Sequence, residues 1–88
     1  MDNEVRLRAT DLHWREIDDE VIALEARASS YLAVNPAGTL LWRALERGAS
    51  REDLAAELVA AYGIDLSRAR EDAQRFLGEL EAAGLLEA

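Results

Sequence analysis

Residues 29–42, SSYLAVNPAGTLLW, restrict the fold more than any other stretch. Tyr31, Leu32, Ala33 and Val34 alternate as a half-buried strand does. Asn35 follows as a good helix N-cap, and Pro36 stands at the first helical position, where a missing N–H costs nothing. A strand therefore runs into a helix with almost no loop between. Upstream lie short alternating runs; downstream the apolar residues recur at helical spacing. Strands followed by three helices within 88 residues predict an α+β chain. The expected form is a small winged helix-turn-helix domain, in which a three-stranded antiparallel β-meander precedes three α-helices. This length supports one domain with a modest core, spanning 1–88 with 1–4 and 87–88 expected to be mobile.

The remaining elements follow from punctuation. Val5 and Leu7 alternate with arginines and read as a short extended segment, a possible extra first strand. Leu12, Trp14 and Glu16 alternate against His13, Arg15 and Ile17. Asp18-Asp19 is a turn signal, and residues 20–26 form the next strand. Ala26–Ser29 is a second turn, and residues 30–34 form the third strand, at a sheet edge. Helix one spans Pro36 to Arg47, with Leu40, Leu41, Trp42 and Leu45 on its apolar face and Gly48 ending it. Ser50 caps helix two, with Asp53 placed as in a capping box. Its stripe is Leu54, Leu58, Val59 and Tyr62, stopped by Gly63. Asp65 or Ser67 starts helix three, which runs to about Ala83. Its core stripe is Leu66, Ala69, Ala73, Leu77 and Leu80, with Phe76 on one flank. Gly84 closes it, and Leu85-Leu86 fold back on the core.

Composition excludes several function classes. The net charge is −8, whereas nucleic-acid binding draws most of its affinity from basic side chains against phosphates. Neither nucleic acid nor an anionic membrane is an expected partner. With no cysteine, there is no disulfide, thiolate chemistry or Cys-ligated metal. The N-terminus lacks an apolar signal core, and no apolar run is long enough to span a bilayer, so the cytoplasm is the expected location.

No catalytic, metal or cofactor site is expected. His13 is the sole histidine, on an alternating strand, and reads as a half-exposed strand residue. Asp18, Asp19 and Glu20 read as a solvated turn, since the calcium-loop pattern is absent. Nucleophile elbows and phosphate-cradling glycine loops are missing. Trp42 reads as core. If Leu32 and Val34 face the helices, Tyr31 points outward. Helix three carries Arg68, Arg70 and Arg75 beside Glu71, Asp72, Glu79 and Glu81. That is either a solvated face or a groove wall offering charges to a peptide.

The YLAVNPAG junction, the LLWRALERG helix, the SREDLAAEL helix and the AQRFLGELEAAGLL end together resemble the PqqD-like family, the recognition elements of ribosomal-peptide (RiPP) modification systems. The likeness spans roughly residues 5–87. A free-standing acidic chain of this size is most similar to the lasso-peptide branch. The resemblance implies a non-catalytic adaptor that binds the leader segment of a precursor peptide by β-strand addition. It would deliver the leader to a cysteine-protease-like leader peptidase and an ATP-dependent macrocyclase. Ser30, Tyr31, Leu32, Ala33 and Val34 are then expected to pair with the leader. Ala69, Asp72, Ala73 and Phe76 are expected to flank it, the two alanines leaving room for its side chains. Competing readings are a PqqD-type peptide chaperone of quinone-cofactor biosynthesis and an acidic winged-helix module for dimerisation or DNA binding.

Overall fold

A computed structural model describes residues 4–25 and 30–87. Strands β1 (Leu12–Ile17), β2 (Glu20–Glu25) and β3 (Ser30–Val34) precede helices α1 (Pro36–Arg47), α2 (Arg51–Tyr62) and α3 (Leu66–Ala82). The sheet is antiparallel in the order β1-β2-β3. β1 and β2 join through Asp18 and Asp19, whose φ angles are 51° and 64°. Two consecutive left-handed residues match the twist of the flanking strands, and aspartate tolerates that region better than most side chains. The expected turn at Ala26–Ser29 and the ends at 1–3 and 88 lie outside the described residues.

Side chains of period two sort the sheet into faces. Val21, Ala23 and Val34 are buried against the helices, with Leu12, Trp14 and Leu32 partly buried beside them. Leu24 and Tyr31, opposite one another in the β2–β3 register, point to solvent. Trp42 of α1 is fully buried, and Trp14 meets it edge-on with ring centroids 5.6 Å apart, the arrangement that aromatic quadrupoles favour. Leu41, Leu45, Leu54, Leu58, Leu77, Leu80 and Leu85 are the other large residues of the core, with Leu7 at its margin and small alanines between them.

Three N-caps set the helix starts. Asn35 Oδ1 accepts from Gly38 N at 2.8 Å, and Asp65 Oδ1 accepts from Arg68 N at 2.9 Å, which decides between Asp65 and Ser67. The Ser50–Asp53 capping box forms in both directions. Two expectations change. Val5 and Leu7 do not extend the sheet; they bridge Ala49 and Leu86, so the N-terminal segment ties the α1–α2 junction to the C-terminus. Tyr62 and Leu66 carry apolar spacing but are exposed, at 51% and 44%. Both border the Gly63 turn, which projects beyond the core.

Thr39 binds the sheet to α1. Its hydroxyl is buried, accepts from Val21 N at 3.1 Å and reaches the Val34 carbonyl oxygen at 3.4 Å as donor. Thr39→Val keeps the shape and removes both bonds, leaving buried backbone groups unmatched. The expected loss is about 1–3 kcal/mol of stability, read as a lower urea midpoint at unchanged slope.

Two exposed ion pairs brace the layers. Arg43 on α1 grips Glu16 on β1, and Arg70 on α3 donates to Glu52 on α2 at 2.9 to 3.3 Å. Hydrogen bonds from each arginine pull Glu16 and Glu52 below the ordinary 4.5. Lowered folded-state values mean that the stability these pairs contribute is in place above the unfolded pKa and is lost as pH falls through the folded one. Arg70→Gln should return Glu52 toward its ordinary value and leave Glu16 low, as followed by NMR of the side-chain carboxyl carbons.

Candidate functional site

β3 is an outer strand, and among the described residues it pairs only with β2. None of the described residues pairs with its other edge. An unpaired edge presents backbone N–H and C=O groups to any extended chain. Beside it lies a cleft of about 360 Å³ between β3 and α3. Leu32, Ala33 and Val34 form one wall, and Arg68, Asp72, Arg75, Phe76 and Glu79 of α3 form the other. Ala37, Gly38 and Leu41 from α1, with Leu58 from α2, supply the apolar floor.

Of the residues expected from sequence, Leu32, Ala33, Val34, Asp72 and Phe76 come together on this cleft. Tyr31 is 68% exposed on the outer sheet face. The Ser30 backbone closes the β2–β3 ladder opposite Glu25, away from the cleft lining. Ala69 and Ala73 stand in the core stripe that the spacing predicts, and not beside the cleft where the resemblance would put them. Both are buried in the core and absent from the cleft lining. They belong to the same helix face as Leu77 and Leu80, the one that packs on α2, where small side chains permit close approach. Enlarging Ala73 would therefore disturb the core instead of filling the cleft.

The charged residues of helix three that the sequence offered as a groove wall are sorted by the structure, and one lining residue, Gly38, was not expected. Arg68, Arg75 and Glu79 stand at helical spacing from Asp72, so one face of α3 carries all four to the cleft, whereas Arg70, Glu71 and Glu81 are not on its lining. Asp72 pairs with Arg75 at 3.0 Å and with Arg68 at 3.7 Å. Gly38 left only the faint signal of a glycine in a first helical turn. A Cβ there would stand 2.5 Å from Val34 Cγ1 and 2.9 Å from Phe76 Cε1. The missing side chain thus lets the Phe76 ring and β3 close on the start of α1.

No group of His, Asp or Glu among the described residues is arranged to hold a metal ion, and no helix among them is long and apolar enough to cross a membrane. What the site offers is a bare strand edge, an apolar trough and a charged rim. These are the components of β-strand addition with side-chain pockets.

The family model described as coenzyme PQQ synthesis protein D (PqqD) matches residues 20–86. No curated protein sequence matches the chain. Among solved structures, TbiB1 in complex with the TbiA(beta) leader peptide is 28% identical, with a TM-score of 0.86 over 94% of this chain and 95% of that one. A lasso peptide synthetase B1 complexed with the leader peptide is 25% identical, with a TM-score of 0.84 over 97% of this chain and 99% of that one.

Gly38 at the cleft floor and Gly78, away from it on α3, make a contrasting pair of substitutions. Gly38→Ala forces Val34, a stiff β-branched residue, and Phe76 apart. Overpacking costs about 1–3 kcal/mol, against about 1 kcal/mol returned by helix propensity, so melting temperature should fall. Gly78→Ala, where a Cβ meets nothing within 4 Å, should raise it by the gain of about 0.5–1 kcal/mol expected for alanine in a helix. Calorimetry on both variants reads the opposite signs.

Proposed function

The chain belongs to the PqqD family, and we propose that it is a non-catalytic cytoplasmic adaptor for the leader segment of a ribosomally made precursor peptide. The observation that carries this reading is the bare edge of β3 lying directly beside an apolar-floored cleft. The two similar structures with bound leader peptides favour the lasso-peptide type over a role in quinone-cofactor synthesis.

An extended leader adds itself to β3 as a fourth strand. About four or five backbone bonds at roughly 0.5–1.5 kcal/mol net contribute only a few kcal/mol. Ordering a flexible segment costs about 2–5 kcal/mol, so backbone pairing alone nearly cancels. Apolar side chains must then supply the affinity, at about 1.5–3 kcal/mol for each large one fully buried. The trough between Leu32, Val34 and Phe76 receives them. Asp72 holds a polar group of the leader at the rim, and Ser30 and Tyr31 extend the pairing at the start of the strand. Held this way, the leader is presented to a separate cysteine-protease-like peptidase and an ATP-dependent macrocyclase.

Fluorescence anisotropy tests the reading, using a labelled leader peptide from the precursor gene beside this one. Wild type should bind it. Phe76→Ala should weaken binding about tenfold or more, matching the partial loss of one buried aromatic. Leu32→Lys, which puts a charge in the trough, should abolish it. Circular dichroism establishes that both variants are folded. Full-strength binding by both would move the site elsewhere, and no binding by wild type would reject the adaptor reading.

A further inference from the structure

Four of the ten arginines divide into two groups. Arg70 spends its fork on Glu52, and Arg43 on Glu16 with Asp19 also at 3.5 Å. Arg68 and Arg75, which line the cleft, share Asp72 between them. Only Arg75 is within hydrogen-bonding distance of it, at 3.0 Å. Arg68 stands at 3.7 Å, and its guanidinium has no hydrogen-bond acceptor among the described residues. Two cations over one carboxylate leave a net positive charge and most of the N–H donors open. This spot lies on a chain whose net charge is −8. Further along the same rim stands Glu79, about one helical turn beyond Arg75, with no ion-pair partner among the described residues.

Building on the leader-binding reading, we propose that the cleft selects peptides carrying an aspartate or glutamate near their apolar anchors, received by Arg68 and Arg75. Backbone pairing repeats along a strand, so by itself it fixes register weakly. A charged rim removes that ambiguity. The planar guanidinium fork matches a carboxylate in two parallel hydrogen bonds. Glu79 repels the same carboxylate if the peptide slips toward the far end of α3. Attraction at one place and repulsion one turn away discriminate better than either alone. The arginine side chains are 69% and 65% exposed, so each contributes specificity more than affinity, roughly fivefold at most in binding.

A random peptide library displayed on messenger RNA and selected on the immobilised protein tests this. Wild type is compared with Arg68→Gln/Arg75→Gln, a surface change expected to leave the fold intact. The expected result is a motif with apolar anchors and one acidic position at fixed spacing. The double variant should keep the anchors and lose the acid, and a synthesised winner should bind it several-fold more weakly than it binds wild type. Anchors without an acidic position on wild type, or an acid retained on the double variant, overturn the charge selection and leave peptide binding standing. Absence of any enriched peptide overturns the peptide-binding reading and this inference with it.

Discussion

The Thr39 hydroxyl lies where the sheet meets the first helix, with the Val21 N–H on one side and the Val34 carbonyl on the other. A hydroxyl can donate and accept at once, so it joins β2 to the end of β3 from within α1. Buried polar groups that are matched rigidify a structure, because the low-dielectric surroundings make any displacement costly. The placement of β3 relative to α1 follows from this joint. Asn35 and Pro36 add to it by starting the helix at once, so no loop can absorb an error in angle. Gly38, one residue before Thr39, brings Val34 and Phe76 to the same helical turn. Strand edge, trough and rim therefore rest on a segment of a few residues.

Much of this was legible in the chain. Helix one was bounded correctly because Pro36 and Gly48 punctuate both ends, and Asn35 acts as the cap it resembles. Alternation in β3 correctly turned Tyr31 outward. Where the reading failed, pattern was present but direction was not. Val5 and Leu7 alternate as extended chain does, yet alternation carries no information about which backbone pairs with it. Ala69 and Ala73 fall in the core stripe as their spacing predicts; only their smallness, which fits an open pocket and a tight helix contact equally well, pointed to the cleft. Only the packing of α3 on α2 separates the two. Thr39 and Gly38 gave almost no signal, because what matters at each is the neighbour brought by the fold.

Charge follows the same division. The sequence yields the total and the spacing along α3, but not which guanidinium is already occupied. Arg70 sits two residues after Arg68 on the helix, about 200° around it, and that rotation sends it to Glu52 while Arg68 faces the cleft. Residues that look equivalent in the chain thus do different work: one braces the helix pair, the other stays open to a visitor.

The bare edge of β3 also bears on how molecules of this protein behave toward each other. An unprotected strand is a template for any identical strand, and folded proteins commonly blunt such edges with bulges, proline or covering loops. Here the edge stays uncovered among the described residues. Each copy carries the same strong negative charge, and like-charged molecules resist close approach in solution. The acidity that sets the chain apart from nucleic-acid binders thus gives colloidal protection, keeping copies apart while the strand remains open to an extended peptide.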